Sequence, residues 1–136
     1  MDSNSQEETE ACAAKVAAVL RPGDVVGLDG DLGAGKTVFV RGIARALGIK
    51  GNIKSPTFNI VRGYDGAVPL FHFDVYRIED ESELYEIGFD DYMNKDGIVM
   101  IEWASKIEDL MPDDAYRITI ERTGENSRRI VVKRGR

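Results

Sequence analysis

Residues 30–37, GDLGAGKT, are the part of the chain whose types and spacing most directly suggest chemistry. They fit G-x-x-x-x-G-K-[ST], the pattern of a loop that cradles phosphates. Gly30, Gly33 and Gly35 allow backbone angles barred to residues with a Cβ, so successive N–H groups can turn inward around phosphate oxygens. Lys36 supplies a mobile positive charge for the β- and γ-phosphates. The Thr37 hydroxyl, in the first turn of a following helix, suits the coordination shell of Mg2+, and the helix N-terminus favours an anion. The cofactor-binding set expected of the loop is Asp31, Leu32, Gly33, Ala34, Gly35, Lys36 and Thr37.

A triphosphate site also needs carboxylates at its far end, usually at the C-terminal end of a sheet strand beside the loop. Two segments qualify, LFHFD ending at Asp74 and IVMIE ending at Glu102. One acid could hold the metal while the other orients or deprotonates an attacking water. His72, the sole histidine, lies two residues before Asp74 on the same strand face and is read as structural. The loop alone also suits a small-molecule kinase, or a binding module that ATP switches with hydrolysis incidental. No arginine-rich lid of the kind such a kinase needs is legible between residues 75 and 115.

The elements that must position these groups follow from local pattern. Residues 24–29 form a short apolar run suited to a buried parallel strand. Residues 37–47 put Phe39, Val40, Ile43, Ala44 and Leu47 at helical spacing, with Gly48 as a C-cap. Strand, glycine loop and helix thus occur in the order the motif requires. Upstream, residues 9–20 read as a helix stopped by Arg21-Pro22-Gly23. Downstream, 57–64 and 67–75 read as strands around an Asp65-Gly66 two-residue turn, with Pro69 leaving one side of the second without a ladder partner. Residues 81–94 are helical in composition with a break at Gly88, 97–103 suit another buried strand, and 105–111 a short helix before Pro112. Residues 115–122 and 128–134 make a C-terminal hairpin with Tyr116, Ile118 and Ile120 alternating. The expectation is an α/β fold, with residues 9–136 as one domain and residues 1–8 disordered.

At 136 residues and a net charge of -6, the chain has room for one sheet with helices on it. Charge is uneven: Arg122, Arg128, Arg129, Lys133, Arg134 and Arg136 face only Glu121 and Glu125 in the last sixteen positions. That segment is read either as a solvated strand face or as an attraction for phosphate-rich partners. The acidic remainder argues against tight unaided binding to bulk nucleic acid. Lone Cys12 cannot form an internal disulfide, and no apolar run approaches membrane-spanning length, so a cytoplasmic protein is expected.

Taken in order, GDLGAGKT at 30–37, SPTF at 55–58, HFDVYR at 72–77 and IEW at 101–103 resemble the TsaE (YjeE) family of small bacterial P-loop ATPases. The resemblance spans residues from about 8 to 120. It implies a predominantly parallel sheet flanked by helices with a C-terminal antiparallel extension. It also implies an ATP- and Mg2+-dependent protein required for threonylcarbamoyladenosine modification at position 37 of tRNAs that decode codons beginning with A, acting with TsaB- and TsaD-type partners. By the same resemblance Thr37 and Glu102 are metal-side residues, Asp74 the acid linked to hydrolysis, Thr57 a switch-like hydroxyl near the γ-phosphate, and Trp103 an aromatic beside the nucleotide. Many relatives carry a second Thr after the GKT; this chain has Val38, so by the resemblance the nucleotide contact at that position, to the α-phosphate, falls to its backbone amide. Turnover alone is expected to be slow. Arg41 and Arg77 are candidate arginine fingers, with a partner as the other source.

Overall fold

A computed structural model of the chain describes residues 1–31, 33–51, 53 and 60–135. Its centre is β2 (Val25–Asp29), a strand of β-branched and small apolar residues whose first four positions are buried. It runs parallel to β5 (Ile98–Glu102) on one side and to β6 (Tyr116–Arg122) on the other. Beyond β5 lies parallel β4 (Leu70–Asp74) and then antiparallel β3 (Val61–Tyr64). Beyond β6 lie antiparallel β7 (Arg128–Arg134) and a two-residue edge strand, β1 (Asp2–Ser3). The seven-stranded order is β1-β7-β6-β2-β5-β4-β3. The central four strands are thus parallel, and antiparallel additions close both edges.

Helices cover both faces. On one side α1 (Gln6–Ala17) and α2 (Lys36–Ala46) bury Ala13, Val16, Phe39, Val40 and Ile43 against Val26, Leu28, Leu70 and Met100. The two helices meet closely because position 42 is glycine: a Cβ there would sit 2.7 Å from the Ala13 Cβ and 2.9 Å from the Glu10 Cα. On the other side α3 (Ser82–Glu86), α4 (Phe89–Met93) and a 3-10 helix (Ala104–Leu110) place Leu84, Phe89 and Ile107 against Phe73, Val99 and Ile101. Phe73 and Phe89 pack edge-on at 5.4 Å.

The structure departs from the sequence expectations in three places. Residues 1–8, expected to be disordered, hold β1 and the start of α1. Ser5 accepts the Glu8 amide at 3.1 Å while the Glu8 carboxylate accepts the Asn4 amide at 3.1 Å, a capping box that starts the helix earlier than residue 9. The Ile130 amide bonds the Met1 carbonyl at 2.8 Å, and Ser3 and Thr9 share a buried 2.7 Å hydroxyl bond. The β3–β4 connection is residues 65–69 rather than a two-residue turn, since Tyr64 pairs with Leu70. Pro69 keeps the chain out of the ladder until Leu70, although its carbonyl accepts the Ile98 amide at 2.9 Å. Residues 81–94 are helical with the break expected at Gly88, whose φ of 80° starts the second of two short helices. The short helix after β5 begins at Ala104 and is 3-10 in form, with Ile107 outside helical angles. Of the segment expected as a strand from residue 57, positions 57–59 lie outside the described residues.

Candidate nucleotide site

The phosphate-loop pattern joins the C-terminal end of β2 to the first turn of α2. Gly30, Gly33 and Gly35 have φ of 155°, 79° and 103°. At Gly30 the need is also spatial, because a Cβ would lie 2.4 Å from the Ile120 carbonyl oxygen. Within the loop the Ala34 amide bonds the Asp31 carbonyl at 3.0 Å, and the Phe39 amide bonds the Gly35 carbonyl at 3.0 Å, opening the helix.

Lys36 is buried, and its Nζ donates to the carbonyls of Gly30 at 2.5 Å and Asp31 at 3.0 Å. The same ammonium lies 4.0 Å from the centroid of the Trp103 ring. Burial pushes this amine below its ordinary value of 10.5, while the carboxylates of Glu102, Asp74, Asp29 and Asp31 oppose the shift. An anion set against it would favour the charged form.

Opposite the loop stand the two acid-bearing strand ends. Parallel pairing puts Asp74 of β4 level with Glu102 of β5, and the two-residue alternation turns both toward α2. Glu102 is buried, and its Oε2 accepts from Thr37 Oγ1 at 3.4 Å and contacts His72 Nε2 at 2.6 Å. Asp74 is half-buried, and its Oδ1 accepts the Tyr76 amide at 3.0 Å. Trp103 is held at φ 63° by the turn that leaves β5, where its amide donates to the Leu28 carbonyl at 2.8 Å. Its ring is tilted against Tyr76 at 4.8 Å.

These groups share a cavity of about 400 Å³. Of the residues expected from the sequence, it brings together Gly33, Gly35, Lys36, Thr37, Val38, Asp74, Glu102 and Trp103. Asp31 and Ala34 take part through backbone carbonyls instead, the first toward Lys36 and the second toward Arg128. Leu32 and Thr57 lie outside the described residues. Arg41 is half-buried on α2 and Arg77 is exposed; neither lines the cavity.

Sequence reasoning missed the opposite wall. Ser5, Gln6 and Thr9 from the start of α1, and Asn126 and Arg128 from the C-terminal hairpin, line the same cavity. Arg128 crosses to the phosphate loop, with Nε donating to the Ala34 carbonyl at 2.8 Å and a terminal nitrogen to that of Gly33 at 3.2 Å. Its parity with buried Ile130 on β7 was the available signal, since the two share a sheet face. Among the described residues no cluster of three or more His, Cys, Asp or Glu could hold a metal alone. One carboxylate beside one hydroxyl is instead the hard-oxygen pair that suits Mg2+ shared with phosphate oxygens.

Residues 3–130 match the family model described as "Threonylcarbamoyl adenosine biosynthesis protein TsaE". The chain belongs to the TsaE family. TsaE proteins take part in tRNA threonylcarbamoyladenosine biosynthesis, and the loop described above agrees with the ATP-binding P-loop of that family. The TsaE of Bacillus subtilis is 50% identical over 125 residues, covering 91% of this chain and 78% of that protein. The TsaE of Treponema pallidum is 35% identical over 130 residues, covering 96% of each. Among solved structures, that of Bacillus YdiB superposes with a TM-score of 0.83 at 40% identity, covering 99% of this chain and 83% of that one. The α/β architecture, a mixed sheet between helical layers, is therefore that of a TsaE protein.

Proposed function

We propose that the chain binds ATP with Mg2+ and hydrolyses it slowly, in support of threonylcarbamoyladenosine modification at position 37 of tRNAs that decode codons beginning with A. The printed names of the TsaE relatives support the pathway. The observation that carries the chemistry is the meeting of Lys36, Thr37, Asp74 and Glu102 on one cavity, with Thr37 Oγ1 3.4 Å from Glu102 Oε2.

Each residue then has a role. Amides of the loop, through Val38, surround the phosphates, and Lys36 moves from its own loop carbonyls to the β- and γ-phosphates. Thr37 and Glu102 would hold Mg2+, which when bound would neutralise charge on the phosphate oxygens. Asp74 orients water for in-line attack on the γ-phosphorus, breaking the bond to the bridging oxygen and releasing ADP and phosphate. Trp103 packs against the Lys36 end of the site. Thr57 contributes a hydroxyl near the γ-phosphate. Ser5, Gln6, Thr9 and Asn126 face the nucleoside end.

Among the described residues the one arginine lining the cavity is Arg128, already engaged with the loop carbonyls of Gly33 and Ala34, which supports completion of the site by TsaD- and TsaB-type partners. The basic hairpin is the surface by which tRNA would be met, directly or through those partners. A cytoplasmic setting fits, and no helix among the described residues is long and apolar enough to cross a membrane. Reconstitution of tRNA modification from purified components tests the reading, with hydrolysis followed in parallel. Modification should require both this chain and ATP, and turnover should rise at least about tenfold when the partners are added. Modification that proceeds equally without the chain, or vigorous turnover by the chain alone, would overturn it.

A further inference from the structure

His72 is wholly buried on β4, and its hydrogen bonding is lopsided. Nε2 meets Glu102 Oε2 at 2.6 Å, whereas Nδ1 has no partner among the described residues. A carboxylate offers only lone pairs, so the hydrogen of this bond is on Nε2, and the polar atom at Nδ1 is left unsatisfied. A histidine serving the core alone would be a poor choice here. Leucine or methionine would fill the space beside Leu70 and Met100 without burying an orphaned polar atom. What the imidazole adds is a fixed donor behind Glu102.

That donor matters because the final torsion of a glutamate is broad and nearly two-fold, leaving a carboxylate on β5 free to swing unless something holds it. Thr37 reaches the same Oε2 only at 3.4 Å. We propose that His72 is a positioning residue for Glu102, aligning its carboxylate toward Thr37 so that the pair is set for a divalent cation before one arrives. This rests on the nucleotide reading above and assigns a role within that site to a residue the reading leaves unused. Outer partners of this kind typically change metal affinity by roughly 10- to 100-fold.

The test compares three substitutions at one position. In His72→Gln the amide nitrogen reaches about as far as Nε2; in His72→Asn the amide stops near Nδ1; in His72→Leu no donor remains. Mn2+ binding to the ADP-loaded protein, read by electron paramagnetic resonance, gives the metal affinity. ADP affinity in EDTA gives nucleotide binding without metal. We expect His72→Leu and His72→Asn to weaken Mn2+ by roughly 10- to 100-fold with ADP binding in EDTA unchanged, and His72→Gln to stay within about threefold of the parent. If His72→Leu fails to fold, the Gln and Asn pair still decides. Equal Mn2+ affinity across the set, or parallel loss of metal and metal-free ADP binding, would overturn the assignment. Should the unsubstituted chain bind no ADP at all, the nucleotide reading itself fails, an outcome distinct from either.

Discussion

Lys36 and Asp74 sit within one cavity but answer to different physics. Lys36 is a buried cation whose charge is held down by desolvation and restored by neighbouring acids. Bound phosphates would raise its pKa again, so binding above the depressed value must take up a proton. Affinity for ATP should therefore be full below that value and fall by up to about tenfold per pH unit as pH rises above it and the amine loses charge. Calorimetric titration across the alkaline range checks this, and a flat profile would contradict it. Asp74 is half-buried at the end of β4, and the role proposed for it is in the chemical step. Asp74→Asn should keep ATP binding within a few-fold while lowering hydrolysis by roughly 10²- to 10⁴-fold, as measured by phosphate release.

At the level of elements, the C-terminal hairpin does more than close the sheet edge. Arg128 on β7 ties the carbonyls of Gly33 and Ala34, holding the loop's peptide planes with carbonyls out. Arg128→Ala should weaken nucleotide binding roughly tenfold, and Arg128→Lys should recover little, because an ammonium lacks the planar fork. Trp103, the chain's one tryptophan, lines the site and makes intrinsic fluorescence a convenient reading. The sequence made β2, the loop and α2 legible because their signals are contiguous: an apolar run, a glycine pattern and a helical period in succession. Asp74 and Glu102 were legible for the same reason, each ending its own apolar strand. Arg128 was not, since its parity with Ile130 puts it on the inner sheet face, away from exposed Arg129, but nothing local says that this face reaches the distant phosphate loop. The Ser5–Glu8 capping box was present in the sequence, but the acidic composition around it suggested disorder instead.

On the scale of the whole molecule, the site is a meeting of distant segments. Residues from the start of α1, the loop, two strand ends and the final hairpin surround one cavity. Pairing of β1 with β7 joins the two ends of the chain, a contact no local pattern could announce. Charge is divided between an acidic body and a basic hairpin, and the hairpin is where the attraction for phosphate-rich partners proposed above would act. The family likeness extends over nearly the full fold, so the arrangement of these segments is common to the superposed Bacillus structure. The most direct measurement is isothermal calorimetry of ATP with the folded chain, with and without Mg2+, beside Lys36→Ala. The account predicts saturable one-to-one binding that weakens at least about tenfold on removing Mg2+ and again in Lys36→Ala. Absence of binding by the folded parent, or equal binding by Lys36→Ala, would contradict it.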